Sequence, residues 1–118
     1  MAKRPIKLAM TLCTAINYKH GCHIVLNTRR FFREGESRMI NLYNLYDSYF
    51  TADGQYISQK LYTSSSSIYI CYFLQELLCA LDGEDYVPPD NKGYRRSRRE
   101  KNGGGSVEYM LERYGNDK

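Results

Sequence analysis

The sequence predicts an α+β protein: an antiparallel meander of about four strands packed by one apolar helix, followed by a flexible basic tail with a short C-terminal helix. Three observations carry this. Period-two alternation broken by turn glycines runs through residues 8–63, an almost wholly apolar stretch behind four serines follows it, and past Gly83 the composition shifts to Pro, Gly and Arg. At 118 residues the chain suits a single core. The expected division is one α+β domain over 1–85, a flexible basic linker over 86–105 and a short amphipathic helix over 106–115.

In the first element Leu8, Met10, Leu12, Ile16 and Tyr18 alternate with Ala9, Thr11, Cys13, Ala15 and Asn17, which reads as a strand. "KHGC" offers Gly21 for a tight turn, and "HIVLNTRRFF" supplies the β-branched and aromatic residues of a return strand. "REGES" turns again at Gly35. "RMINLYNLYDSYF" continues as a long strand, "TADG" turns at Asp53 and Gly54, and "QYISQKLYT" makes a fourth, more polar strand. Then Ser64 to Ser67 offer hydroxyl caps, and Ile68, Cys71, Leu74, Leu78 and Leu81 recur near helical spacing up to Gly83. "SVEYMLERYG" closes the chain with a two-turn amphipathic pattern, capped by Ser106, that needs a docking surface to persist.

Charge is laid out in three blocks. Residues 1–33 hold seven Lys/Arg and no acid, residues 34–91 hold two basic against nine acidic residues, and residues 92–118 hold eight basic against four acidic. Such asymmetry favours an oriented encounter with a charged partner. Tyrosine is dense as well, with seven of the twelve between Tyr43 and Tyr72 and no Trp anywhere. That density points to a thin core or a contact surface.

No apolar run reaches the ~18 residues of a membrane span, and Thr11, Cys13, Thr14 and Asn17 interrupt the stretch a signal peptide would need. The expectation is a cytoplasmic protein, with no membrane partner and with Cys13, Cys22, Cys71 and Cys79 reduced. "HGCH" gathers His20, Cys22 and His23, but adjacent strand residues face opposite ways and no second Cys/His pair stands at finger spacing. We expect no metal and no cofactor. A Cys–His nucleophile would lack its oxyanion donors and orienting group, the acids Asp47, Asp53, Glu84 and Asp85 sit at turns and element ends, and "NGGGS" lacks the Lys of a phosphate-binding loop. No catalytic residues are assigned, and the protein is expected not to be an enzyme.

Basic residues interleaved with aromatics carry the functional reading. "TRRFFR" sets Arg29, Arg30 and Arg33 around Phe31 and Phe32, and "YRRSRR" sets Arg95, Arg96, Arg98 and Arg99 beside Tyr94, with Lys101 just beyond. Guanidinium groups fit phosphate bidentately, and an exposed ring stacks on an unpaired base. These residues are the candidate nucleic-acid contacts of a non-enzymatic binding protein for nucleic acid or a nucleoprotein. The alternative is a protein inhibitor whose acidic middle block, with Tyr43, Tyr46, Tyr49 and Tyr56, imitates nucleic-acid charge and binds a protein partner. Nothing in the sequence reads out an oligomeric state.

The order of a basic N-terminal hairpin, a Tyr-rich hairpin, a Ser-capped apolar helix and a loose basic tail resembles small accessory proteins of Gram-positive phages and conjugative elements. The resemblance covers the general layout of residues 6–85 and transfers no individual residue. It implies a mobile-element setting, in which small nucleic-acid-binding factors and inhibitors of host defence, anti-CRISPR-like proteins among them, are the expected functions.

Overall fold

The structure, a computed structural model, describes residues 5–35, 37–100 and 103–115. Their order is α1 (Pro5–His20), β1 (Ile24–Phe32), β2 (Met39–Phe50), β3 (Tyr56–Ser64), α2 (Ser67–Asp82), α3 (Lys92–Glu100) and α4 (Gly103–Tyr114). The class is α+β, with a three-stranded antiparallel sheet in the order β1-β2-β3 and four helices.

The expected first strand is instead the helix α1. Its buried residues are Ala9, Cys13 and Ile16, a stripe spaced by four and three, while Met10 and Tyr18 are 57% and 92% exposed. Some of the large residues that suggested alternation are on the solvent side, and the small Ala9 and Cys13 pack inward beside Ile16. Pro5 opens the helix, where its missing N–H costs nothing. Gly21, at φ 67°, then closes it by donating its N–H to the Asn17 carbonyl at 2.9 Å. The Asn17 amide also pairs with both backbone groups of Ile24, at 2.8 and 3.0 Å, and so fixes where β1 starts.

The three later strands form a meander. β1 pairs with β2 from Ile24↔Asp47 to Phe32↔Met39, and β2 pairs with β3 from Tyr43↔Ser64 to Phe50↔Tyr56. A bulge between Leu45 and Tyr46 lets both Leu61 and Tyr62 of β3 turn into the core. Alternation then separates two faces. Ile24, Leu45, Asp47 and Tyr62 face the helices, whereas Val25, Asn27, Arg29, Leu42, Tyr46, Phe50, Tyr56 and Lys60 lie on the opposite side. Helical contacts with the sheet, through Ile16, Phe73, Tyr109 and Tyr114, lie on the first face.

α2 starts where the Ser66 hydroxyl accepts from the Tyr69 N–H at 3.2 Å and ends at Gly83 with φ 75°. It runs parallel to α1: Cys71 near its start reaches the Pro5 carbonyl, and Asp82 at its end meets Lys19 and His20 at 2.9 and 2.7 Å. Phe73 stacks on Tyr62 with centroids 5.1 Å apart, joining α2 to β3.

Residues 86–105, expected as a flexible tether, contain α3 and the first turn of α4. Tertiary anchors account for the difference. Asn91 caps α3 by accepting from the Tyr94 N–H at 2.9 Å, and Tyr94, 2% exposed, enters a cluster with Tyr62, Tyr69 and Tyr72 at 5.2–6.2 Å. Gly103 to Gly105, expected as a break, begin α4. Glycine costs a helix about 1 kcal/mol per residue. Burial of Val107 and Met110 and the bond from the Ser106 hydroxyl to the Leu61 carbonyl, 2.6 Å, work against that cost.

Candidate nucleic-acid interface

β3 stops at Ser64, opposite Tyr43, so the ladder from Arg29↔Leu42 outward has only two strands. This ribbon closes at Gly35, whose φ of 81° suits the turn. On it Arg29, Arg30 and Arg33 are all exposed, Phe32 is 61% exposed and Phe31 is half-buried. The register places Arg29 and Phe31 on the face away from the helices and Arg30 and Phe32 on the other. A two-stranded β-ribbon of this kind fits a nucleic-acid groove or lies along a backbone. Arg38, on the returning limb, is exposed as well and was missed because it stands alone in an acidic stretch.

The second basic group divides in two. Lys92, Arg95, Arg96 and Arg99 recur at helical spacing on one side of α3 and line a shallow hollow of about 510 Å³. Arg95 keeps an ion pair with Asp90 at 3.7 Å yet remains half exposed. Tyr94 and Arg98 face inward: Tyr94 is buried, and Arg98 holds Glu76 through two bonds of 2.7 and 2.6 Å. The Glu76 hydrogen bond raises the Arg98 guanidinium still higher above its ordinary value. Neither side chain is presented to a phosphate. Lys101 lies outside the described residues.

The tyrosines of the alternative surface do not form one patch. Tyr46 and Tyr56 lie on the sheet face away from the helices, whereas Tyr43 and Tyr49 lie on the helix side, where the Arg113 guanidinium sits 3.5 Å from the Tyr49 ring centroid. Residues three apart on a strand point to opposite faces, which separates 43 from 46 and 46 from 49. Three of the acids also turn inward. Asp47 is fully buried, accepting from the Tyr109 and Tyr114 hydroxyls at 2.8 and 2.7 Å with Arg113 at 3.6 Å; Glu76 is held by Arg98; and Asp82 is held by Lys19 and His20. Glu34, Asp53, Glu84, Asp85 and Asp90 are exposed, scattered over turns and loops.

Cys13, Cys22 and Cys71 are buried in the core, and Cys79 is half-buried. Burial pushes the Cys13 and Cys22 thiols up to about 12 and raises Cys71 too, so the thiolate a nucleophile needs is scarce at neutral pH. Among the described residues no three His, Cys, Asp or Glu side chains gather as a metal would require, and no helix is long and apolar enough to cross a membrane.

Comparison with known proteins returns no match: no protein-family model, no curated protein and no solved structure is similar to this chain.

Proposed function

We propose that this protein is a non-enzymatic nucleic-acid-binding protein whose basic hairpin, carrying Arg29, Arg30 and Arg33, contacts the phosphate backbone, with the outer side of α3 as a second contact. One observation carries the reading: these arginines are displayed on a two-stranded ribbon and an outward helix face, while Asp47, Glu76 and Asp82 of the acidic middle block are spent on internal partners. These three acids take up Arg113, Arg98 and Lys19, so the remaining charge still sums to +4, and the hairpin and outer α3 arginines are among its exposed members. The alternative, an inhibitor of a host defence complex acting through an acidic Tyr-rich face, has less support because its tyrosines divide between two faces. A mobile-element origin would suit either reading.

Fluorescence anisotropy with labelled single-stranded and duplex oligonucleotides, at low salt, tests it. We expect saturable binding that weakens at least tenfold when Arg29, Arg30 and Arg33 are changed together to Ala. Binding to no oligonucleotide, with co-purification of a single nuclease-insensitive protein, would favour the inhibitor.

A further inference from the structure

The sheet face away from the helices is a candidate binding platform in its own right. Among the described strand residues projecting from it, none is acidic, Arg29 and Lys60 are basic, and Phe31, Tyr46, Phe50 and Tyr56 are aromatic. Phe50 and Tyr56 are 71% and 59% exposed and lean together with centroids 5.1 Å apart. The Lys60 ammonium sits 5.9 Å from the centre of the Tyr46 ring. A solvent-facing sheet ordinarily carries mixed charge rather than rings without acids.

We propose that this face takes single-stranded nucleic acid, with unpaired bases stacked on the aromatic rings and phosphates held by Lys60 and Arg29. The idea rests on the nucleic-acid reading above and adds to it the kind of strand and the surface.

Position along the sheet supports the assignment. Phe31 stands opposite Ile40, Tyr46 lies six residues further along β2, and the Phe50–Tyr56 pair four beyond that. At ~3.3 Å per residue the rings span roughly 33 Å, room for several successive nucleotides. The spacing is too wide for the rings to form a packed apolar patch of their own. It suits separate stacking stations.

A second observation points to the same ligand. Between these rings Asn44 and Thr63 face each other across the ladder on this side of the sheet, and the Asn44 Oδ1 and Thr63 Oγ1 have no hydrogen-bond partner although Asn44 is only 4% exposed. Buried polar atoms are rarely left unpaired. Both atoms are shielded from solvent in the free chain, so a base edge on the face reaches them only with a shift of the side chains around them, and it then offers them N–H donors and acceptors. Charge argues against a second copy of the chain, since a two-fold contact through this face would bring like charges from both copies together. Stacking argues against a duplex, whose bases are already occupied with one another.

The test uses the full chain with fluorescein-labelled oligo(dT), oligo(U) and a duplex of about twelve nucleotides. Single strands should bind at least tenfold more tightly than duplex; a preference between oligo(dT) and oligo(U) assigns DNA or RNA. Changing Phe50 and Tyr56 together to Ala, at exposed positions where the fold does not depend on them, should cost single strands about tenfold or more and leave the weaker duplex binding unchanged. Phe50→Tyr with Tyr56→Phe should restore binding. The proposal is overturned if the Ala variant holds single strands as the parent does, or if the ring-conserving variant fails as badly as the Ala one. It is equally overturned if the parent is a dimer that the Ala variant dissociates. If the parent binds neither strand form, the broader nucleic-acid reading falls first, and the two failures are thereby told apart.

Discussion

Arg98 grips Glu76 through two bonds, its Nε and one terminal nitrogen lying 2.7 and 2.6 Å from the two carboxylate oxygens. This pair joins a helix in the basic tail to the apolar helix of the domain. It converts one charge of an apparent phosphate-binding run into an internal brace.

Loss of the brace should free α3. Glu76→Gln keeps the size of the side chain but removes its charge, leaving Arg98 and the Tyr94 hydroxyl, 3.3 Å from Glu76, poorly satisfied. Both partners are partly exposed, so a cost of about 1–3 kcal/mol is expected rather than that of a fully buried pair. Limited proteolysis reads it directly. Trypsin should cut the variant after Arg95, Arg96 or Arg99 much faster than the parent, and equal cutting rates would show that the pair contributes little.

Asp47 should anchor α4 by the same logic at a drier site. It is fully buried on the central strand, and Tyr109 and Tyr114 satisfy its two oxygens. Changing both tyrosines to Phe leaves the carboxylate with Arg113 at 3.6 Å as its remaining named partner. We expect a loss of about 3–5 kcal/mol in urea unfolding. A loss below about 1 kcal/mol would mean that water satisfies Asp47 instead.

Stability should fall at both ends of the pH range. The Lys19 hydrogen bond, the largest cause, holds the Asp82 carboxyl below its usual value; burial opposes it and the His20 bond adds to it. A depressed folded-state pKa gives stability that is present above the unfolded value near ~3.9 and is lost as pH drops through the folded value. Asp82→Asn should therefore flatten the acid side of a Tm-against-pH curve. Burial raises the Tyr94, Tyr62, Tyr109 and Tyr114 hydroxyls and takes Tyr86 to about 12. Those contributions are present below the unfolded value near ~10 and vanish as pH rises toward the folded ones. The expected alkaline signature is a tyrosinate absorbance step that coincides with loss of circular dichroism; titration of these groups without unfolding would contradict their burial.

The α3 face supplies a separable prediction. Changing Arg95, Arg96 and Arg99 to Ala while sparing Arg98 should preserve the fold, because none of the three is buried. If that face touches phosphate, the log–log salt slope of binding should flatten by roughly two to three units. Adding Arg98→Ala should then lower Tm without flattening the slope further.

How legible this was in the sequence depended on where each element finds its partners. α2 was readable because its signals are local: serines before it, Gly83 after it and leucines between. The later hairpins were readable from Gly35 and Gly54. α1 was misread because Leu8 to Tyr18 satisfies two periods at once, and only the burial of Ala9 and Cys13 distinguishes them. α3 was misread for the opposite reason. Its helix is held by Glu76, Asn91, Tyr69 and Tyr72, and three of these four lie more than twenty residues away, so a run of arginines and one Tyr looked like a solvated arm. The division of the tyrosines between two faces follows from their spacing of three once β2 is placed, and the extra residue of the bulge, which turns both Leu61 and Tyr62 inward, sits in β3.

The salt dependence of oligonucleotide binding by the parent and by the Arg29→Ala, Arg30→Ala, Arg33→Ala variant tests the central claim most directly. Each phosphate neutralised contributes about −0.7 to the log–log slope on single strands and about −0.9 on duplex. Three hairpin contacts should therefore flatten the slope by roughly two units or more, with affinity reduced at low salt and the fold intact. A folded variant whose affinity and slope equal those of the parent would contradict the claim that this hairpin grips nucleic acid.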